Sequence, residues 1–402
     1  MSSGALENLV VLDLTRVLAG PYCTMLLADM GAEVIKIEIP QGGDDTRAYP
    51  PFRKNRDGEQ ESLYFANINR NKKGITLNLK SEEGKEIFRR LVKKADIVVE
   101  NYRPGVMDKL GLGYDALKEI NPRLIYGSVS GFGNTGPYRL RPGYDILAQA
   151  MGGLMAITGA AGGPPTRVGS AIGDLLGGLH LTIGLLAAVN ARNLTGVGQR
   201  VDISLMDAVI AATENTAIKY LESGTIPPRM GNRYAAVSPY DAFQVKDGKI
   251  IIAAGNQHLY EKLCTEILHR PDMITDPRFT DMPGRLKNQD AIQEVIESTL
   301  ADKTMEEAVE LVLSKGIPAG PIYDISQILQ DPQVKEREMF VEMEHPTLGP
   351  ITVNGCAVKL SETMPGVRTP APALGQDDFE ILHKYCGLAQ EEVESLREQK
   401  VI

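Results

Sequence analysis

Short apolar runs separated by amphipathic stretches dominate the first third of the chain. Residues 9–14 form one such run, rich in β-branched side chains and suited to a buried strand of a parallel sheet. Further strands are predicted at 33–38, 75–79, 97–100 and 124–126. Pro21 favours a helix start after the first run, and Ser81 is a favoured N-cap for a later helix. Alternating strands and helices predict βαβ units, a mostly parallel sheet and therefore an α/β fold.

The pattern changes after about residue 205. Residues 207–222 predict one long helix, and Lys246-Asp-Gly248 between two apolar runs is a strong β-hairpin signal. The hairpin strands are predicted at 240–245 and 249–254, and later helices at 257–268, 289–300 and 305–314. This mixture indicates a second, smaller α+β domain. The predicted divisions are a large domain at 1–205, the small domain at 225–330 and a C-terminal segment at 335–402.

Composition narrows the class of protein. The 402 residues are 43% apolar, enough for a sizeable core, and the net charge of −9 argues against nucleic-acid binding. The four cysteines and five histidines are scattered, so neither a zinc site nor a disulfide framework is indicated. The N-terminus does not resemble a signal peptide, and the apolar run at 175–189 is shorter than the roughly 20 residues of a spanning helix. We therefore expect a cytoplasmic protein that holds no metal and binds neither membranes nor nucleic acid.

Asp174 is the first candidate for chemistry. It stands at the start of a long apolar helix pattern, just after a loop rich in Gly and Pro at 159–166. Aspartate in that place is a favoured N-cap. It is also a candidate nucleophile, because the helix dipole favours its ionised form. The small residues Gly173, Gly177 and Gly178 are expected to leave room for a substrate beside it.

The segment Gly131-Phe-Gly-Asn-Thr-Gly136 matches the dinucleotide-binding pattern G-x-G-x-x-G. Pro137, Pro142 and Gly143 follow where that motif needs a helix, so no helix N-terminus would face a pyrophosphate. The sequence therefore predicts a turn-rich loop after a strand and no nicotinamide cofactor.

Two basic clusters lie at the ends of predicted strands. They are residues 70–73 and residues 101–105 with Lys109. In an acidic protein, such clusters indicate either a small polyanionic ligand or an ordinary solvated surface. A third segment, Ala253-Ala-Gly-Asn-Gln257, ends a strand and could direct backbone N–H groups at an oxyanion, or simply be a turn capped by Asn256.

Taken together, the motifs resemble the class III CoA-transferases. The order and spacing agree over roughly residues 8 to 370. The segments that carry the resemblance are Val11-Leu-Asp-Leu-Thr-Arg-Val-Leu-Ala-Gly-Pro21, Gly31-Ala-Glu-Val-Ile-Lys-Ile-Glu38, Asn69-Arg-Asn-Lys72, Glu100-Asn-Tyr-Arg-Pro-Gly105, Gly131-Phe-Gly133 with Gly136-Pro137, and Gly173-Asp174.

The resemblance implies a Rossmann-like large domain built from both chain ends, a small middle domain and an interlocked homodimer. It also implies that CoA is moved from an acyl-CoA to a small carboxylic acid, with Asp174 as the nucleophile and without ATP or metal. Positions that match CoA contacts of the family are Val17, Lys73, Asn101, Arg103, Lys109 and Tyr144. Gly255, Asn256 and Gln257 occupy the place of the family's mobile glycine-rich loop over the active site.

The chain also departs from part of that family. The loop at Gly255 holds one glycine, and Leu18 replaces the glutamine of oxalate-using members, which weakens a formyl or oxalyl assignment. Two alternatives stay open. One is a 2-methylacyl-CoA racemase, whose Gly-His-Asp motif corresponds here to Gly143-Tyr144-Asp145, where tyrosine is a poor base at neutral pH. The other is a CoA-binding protein without catalysis.

Overall fold

A computed structural model describes residues 4–402 of the chain. The chain forms two compact units. The first unit holds the N-terminal part to Leu154, residues 167–218 and residues 332–402, so segments near both ends of the chain lie in it. The second unit holds residues 155–166 and 219–331.

A parallel six-stranded sheet forms the centre of the first unit, in the order β5-β2-β1-β6-β7-β8. Two antiparallel hairpins, β3–β4 and β12–β13, accompany it. The strands of this unit are β1 Val10–Asp13, β2 Glu33–Glu38, β3 Phe52–Lys54, β4 Gln60–Ser62, β5 Lys72–Thr76, β6 Ile97–Glu100, β7 Ile125–Ser130, β8 Arg200–Ser204, β12 Phe340–His345 and β13 Gly349–Asn354.

Helices cover both faces of this sheet. Neighbouring side chains of a strand point to opposite faces, and both faces here carry apolar side chains that must be buried. Val11 belongs to the core cluster with α1 and α8, whereas Leu12 belongs to the cluster with α3, α5, α18 and α19. The helices are α1 Ala19–Asp29, α2 Leu63–Ile68, α3 Glu82–Val92, α4 Val106–Lys109, α5 Tyr114–Ile120, α6 Asp145–Met151, α8 Ile172–Thr195, α9 Leu205–Ala211, α17 Pro332–Glu336, α18 Asp378–Cys386 and α19 Gln390–Glu398. Two more helices, α7 Leu154–Ile157 and α10 Thr216–Ser223, cross the borders of the units.

The second unit contains an antiparallel three-stranded sheet in the order β11-β10-β9, which packs on helices around a separate core. Its strands are β9 Tyr240–Gln244, β10 Lys249–Ala253 and β11 Ala319–Pro321. Its helices are α11 Gln257–Lys262, continued by a π-helical turn at Leu263–Ile267, then α12 Asp272–Thr275, α13 Met282–Lys287, α14 Gln289–Leu300, α15 Met305–Ser314 and α16 Ile325–Ile328. The predicted hairpin and the helices at 289–300 and 305–314 are confirmed.

Two expectations were wrong. The strand predicted at 75–79 covers Lys72–Thr76, because the charged Lys72 is buried beside the Asp13 carboxylate at its start. The helix predicted at 207–222 breaks into α9 and α10, and Glu214 between them has a left-handed φ of 51°. The long apolar helix predicted near Asp174 is confirmed, and it covers the 24 residues Ile172–Thr195.

Candidate active site

A cavity of about 250 Å³ opens in the first unit at the carboxyl ends of β1, β6 and β7. Ligands of open α/β sheets favour this edge. The loops that follow those strands line the cavity together with the start of α8. Five of the predicted site residues lie in its wall: Val17, Asn101, Arg103, Tyr144 and Asp174.

Asp174 is the third residue of α8, so the capping interpretation was wrong. Ala171 holds the N-cap position and makes no side-chain cap bond. The cap is supplied by Asp145 of α6, whose Oδ1 accepts hydrogen bonds from the backbone N–H groups of Gly173 at 2.7 Å and Asp174 at 3.4 Å. The Asp174 carboxylate is therefore free of capping duty and lines the cavity.

The electrostatic surroundings of Asp174 differ from those predicted. Burial and the neighbouring Asp145 carboxylate raise its pKa to about 7, although the helix dipole alone would favour ionisation. A half-buried carboxylate near neutrality is poorly solvated. It is a stronger nucleophile than an exposed aspartate once it has lost its proton.

Two of the glycines near Asp174 serve helix packing. A Cβ on Gly177 would lie 2.4 Å from Leu205 Cδ2, and one on Gly178 would lie 2.6 Å from the Ala19 carbonyl oxygen. These positions are filled by protein, so the expectation that they leave room for a substrate was wrong. They let α8 approach α1 and α9 closely and so fix the start of α8 on the sheet.

The loop after β1 is held in an uncommon conformation. Val17 has φ of 68°, a left-handed value that a β-branched residue adopts only when its surroundings impose it. Its N–H donates to Asp44 Oδ1 at 3.2 Å. The Asn101 side chain bonds both the N–H and the carbonyl of Arg16, at 2.8 and 2.6 Å, which ties the β1 and β6 loops together.

The basic cluster at 70–73 is largely an internal structure, so its interpretation as a cationic loop was wrong for Arg70 and Lys72. Arg70 pairs with Asp29 at 2.7 Å and Lys72 with Asp13 at 3.0 Å, and both cations are buried. Lys73 is more exposed, but its ammonium lies between the carboxylates of Glu33 and Glu380. It does not line the cavity, and its role in CoA binding stays a prediction.

The remaining predicted residues lie elsewhere. Lys109 ends the short helix α4 and is not part of the cavity wall. Gly255, Asn256 and Gln257 belong to the second unit. There, the Asn256 side chain accepts from the Leu259 N–H at 2.9 Å and caps α11, while Gln257 Oε1 accepts from Arg285 at 2.9 Å. Capping by Asn256 is confirmed, and the oxyanion role stays a prediction.

The structure adds residues that sequence reasoning missed. Arg141 lines the cavity, and its guanidinium stacks 3.8 Å from the Tyr138 ring centroid. Tyr49 and Ser130 line it as well. Ser130 Oγ is one of two buried side-chain polar atoms without a hydrogen-bond partner in the described chain. Only Arg141 had a sequence signal, as a cation in a loop rich in Pro and Gly.

No cluster of three or more His, Cys, Asp or Glu side chains among residues 4–402 could hold a metal ion. All four cysteines are buried free thiols. By length and composition α8 passes as a candidate membrane span, a test that a core helix also passes. Leu181 and Leu185 of this helix are fully buried in the core with β7 and α1.

Comparison with known proteins gives a consistent result. The model of CoA-transferase family III matches residues 6–378. A succinyl-CoA:mesaconate CoA-transferase of Haloarcula hispanica is 42% identical over 384 residues, covering 94% of this chain and 96% of the relative. An acetyl-CoA:oxalate CoA-transferase of Acetobacter aceti is 42% identical, with 95% and 96% covered. The human succinyl-CoA:glutarate CoA-transferase is 39% identical, with 94% and 85% covered.

Solved structures agree with these sequences. A crystal structure of a CAIB/BAIF family protein from Brucella suis superposes with a TM-score of 0.84 at 37% identity, covering 96% of this chain and all of that one. The likeness extends to the mixed α/β arrangement with its large parallel sheet. The chain therefore belongs to CoA-transferase family III and is a class III CoA-transferase enzyme.

Proposed function

We propose that the enzyme transfers CoA from a dicarboxylic acyl-CoA to a free dicarboxylic acid, with the Asp174 carboxylate as covalent nucleophile. The observation that carries the proposal is the placement of Asp174. It is a cavity-lining carboxylate on a helix capped by another residue, with its pKa raised to about 7 by burial and Asp145.

The chemistry proceeds by exchange at carbonyl groups. A carboxylate oxygen of Asp174 attacks the donor thioester carbonyl, the C–S bond breaks, and a mixed anhydride and the CoA thiolate result. Return of the thiolate to the Asp174 carbonyl carbon breaks the anhydride and gives an aspartyl thioester and the free donor acid. Attack by the acceptor carboxylate forms a second anhydride and releases the thiolate again. Its final attack on the acceptor carbonyl yields the new acyl-CoA and restores Asp174.

Each step exchanges one acyl bond for another, so no ATP is consumed and no proton needs to be moved. The Asp174 carboxylate must be ionised for the first attack. Water would hydrolyse either anhydride, so a half-buried nucleophile suits this sequence of reactions. A catalytic role of the loop at Gly255, Asn256 and Gln257, which the family resemblance implies, is part of the proposal.

CoA carries phosphate groups that need cations and N–H donors. We assign its contacts to cavity residues Val17, Asn101, Arg103 and Tyr144, with Arg141 added by the structure. Lys73 and Lys109, which lie outside this cavity, are proposed to contact more distant parts of the nucleotide. Arg103 is exposed and free to meet a phosphate.

Two observations support the proposed acceptor class. The related enzymes are named for mesaconate, oxalate and glutarate, all dicarboxylates. The cavity wall also carries Arg16, which is not among the CoA contacts assigned above; its ion pair with Asp45 at 3.3 Å is about half exposed, so its guanidinium is accessible to a second carboxylate. Arg233 of the second unit is already paired with Asp241 and Asp290, and we do not assign it to the acceptor.

An interlocked homodimer is part of the proposal. Helix α8 leaves Leu179, Ile183 and Leu194 exposed, by 40%, 65% and 81%. An apolar strip of this kind on a long helix is typical of a surface that another chain covers. Sedimentation analysis should give a dimer, and Ile183→Lys should weaken it; a monomeric wild-type protein would contradict this part.

The nucleophile is tested by trapping. Incubation with succinyl-CoA and hydroxylamine converts an activated aspartate into a hydroxamate, which tandem mass spectrometry locates. We expect the label at residue 174, no label and no turnover in Asp174→Ala, and unchanged labelling in Asp302→Ala, a control at an exposed site. Turnover by Asp174→Ala, or a wild-type peptide that never carries the label, would overturn the assignment.

The substrate class is tested separately. With succinyl-CoA as donor, glutarate, mesaconate and oxalate are compared with butyrate as acceptors, and the new thioesters are measured by mass spectrometry. We expect at least about tenfold higher kcat/KM for one dicarboxylate, since pairing of a second carboxylate with arginine contributes about 1.4 kcal/mol or more. Equal use of butyrate would contradict the dicarboxylate assignment and leave the nucleophile untouched.

A further inference from the structure

A chain of side-chain hydrogen bonds connects both ends of the segment that leads into α8. The Val168 N–H donates to Gln149 Oε1 at 2.9 Å. Gln149 Nε2 donates to Asp145 Oδ2 at 2.8 Å. Asp145 Oδ1 accepts from the Gly173 N–H at 2.7 Å and, more weakly, from the Asp174 N–H at 3.4 Å. Gln149 is completely buried, and the two side chains are one helical turn apart on α6.

Backbone donors at both ends fix the direction of the hydrogen bonds in this series. Because the Val168 N–H can only donate, the Gln149 amide must present its oxygen there and its NH₂ group to Asp145. Because the Gly173 N–H can also only donate, Asp145 must accept through both oxygens. An ionised carboxylate does this, whereas an amide would leave two donors facing each other in any orientation.

The start of α8 is also tightly packed. A Cβ at Gly173 would lie 3.0 Å from Asp145 Oδ1 and 3.3 Å from Val209 Cγ2, so the glycine admits the carboxylate against the backbone. Ala171 offers no cap of its own. The backbone that carries the Asp174 side chain is therefore located by a residue of another helix.

We propose that Asp145 and Gln149 are positioning residues for the reaction: together they clamp the segment 168–174 and hold the Asp174 carboxylate in its attacking geometry. This role rests on the proposed function of Asp174 as nucleophile. Misplacement of a reacting group by about 1 Å costs on the order of a hundredfold in rate, so the clamp is expected to act on kcat.

The charge of Asp145 has a second effect, because it faces Asp174 across the capped turn and raises the pKa of that group. Burial raises the pKa of the Tyr64 phenol in α2 to about 12, and the charge of Asp174 adds to this shift. The other titratable and charged groups around the cavity are Arg16, Asp45, Tyr49, Tyr102, Arg103, Arg141 and Tyr144. Removal of the Asp145 charge should move the acid limb of the pH–rate profile to lower pH.

The test exchanges the acid and the amide. Asp145→Asn places two amides opposite each other, and Gln149→Glu places two carboxylates opposite each other. We expect kcat to fall about 10- to 100-fold in either variant. In the double variant, the carboxylate introduced at position 149 would accept from the Val168 N–H and from the amide NH₂ group introduced at position 145. The oxygen of that new amide would accept from the Gly173 N–H. All the bonds are restored, and only the one between positions 145 and 149 reverses its direction, so kcat should return to within about threefold of the wild type.

Gln149→Met removes the link without adding a charge, and it is expected to lower kcat as Gln149→Glu does. Asp324→Asn is the control, because Asp324 caps α16 in the second unit by accepting from the Gln327 N–H at 3.0 Å. It should leave kcat unchanged. Unfolding temperatures of all variants separate loss of fold from loss of rate.

Wild-type kcat in Asp145→Asn, Gln149→Glu and Gln149→Met would overturn the proposal. So would a double variant no faster than the single ones. Both results are interpreted together with hydroxylamine trapping in the wild type. A label at residue 174 with unaffected variants defeats only the clamp, whereas absence of that label defeats the nucleophile itself.

Discussion

The Asp13 carboxylate at the end of β1 lies 3.0 Å from the Lys72 ammonium at the start of β5, and neither side chain is exposed. Asp13 also accepts from the hydroxyls of Thr15 and Thr24, at 2.5 and 2.6 Å. Lys36 of β2 pairs with Asp44 at 2.9 Å in the same buried network. These charges hold the loop after β1, which carries Val17 into the cavity, against the sheet.

We expect Lys72→Met to lower the free energy of unfolding by about 3–5 kcal/mol, because it leaves Asp13 buried without its closest cation. The measurement is urea denaturation at pH 7. Arg56→Met is the matched control, since the Arg56–Glu344 pair is exposed on both sides and should contribute less than about 1 kcal/mol. Equal effects of the two substitutions would show that the buried pair contributes no more than a surface pair.

The same pair gives a pH dependence with a defined sign. Burial alone would raise the pKa of Asp13, but Lys72 and Lys36 outweigh it and hold the pKa at about 2. A carboxyl whose pKa is lower in the folded state stabilises the protein above its unfolded value near 4, and this contribution disappears as pH falls through about 2. In Lys72→Met the acid unfolding midpoint should therefore shift to higher pH.

The second prediction concerns the pH dependence of catalysis. Only the ionised Asp174 can attack, and burial together with Asp145 raises its pKa to about 7. The value of kcat/KM should therefore rise tenfold per pH unit in the acid range and level off above about pH 7. Initial rates between pH 5 and 9, with unfolding controls at each pH, measure the acid limb of the pH–rate profile. A limb near pH 4 would mean that Asp174 is as well solvated as a surface aspartate.

The third prediction concerns the contact between α8 and α1. A Cβ at Gly178 would lie 2.6 Å from the backbone oxygen of Ala19, which cannot move without shifting α1. Gly178→Ala should therefore lower the free energy of unfolding by about 1–3 kcal/mol, despite the better helix propensity of alanine. It should also reduce kcat, because Ala19 lines the cavity.

Gly320→Ala is the control for that substitution. Nothing lies within 4 Å of a Cβ placed on Gly320, which belongs to β11 of the second unit. Its unfolding free energy should change by less than about 0.5 kcal/mol. A Gly178→Ala protein as stable as this control would show that α8 and α1 separate easily, and the tight contact would lose its importance.

Local patterns determined much of the fold. The segments 33–38 and 97–100 are strands with the predicted bounds, and their β-branched side chains, such as Ile35 and Val98, are buried. The Ser81 cap is confirmed, since its hydroxyl accepts from the Gly84 N–H at 3.0 Å. The loop at 131–136 leads into no helix before Asp145, as its prolines indicated. Ordered motifs also carried the family resemblance, which the comparisons confirm.

Tertiary structure alone decided how charged and small residues are used. Lys72 and Arg70 were predicted to belong to a cationic cluster that meets a polyanionic ligand or solvent, yet they are buried because Asp13 and Asp29, distant in sequence, lie beside them in the folded chain. Asp174 was a candidate cap, yet Asp145 takes that duty across 29 residues. The chain by itself determines which segments are strands and helices, since periodicity and capping are local. Which side chains neutralise or bond one another depends on distances that exist only after the segments have packed.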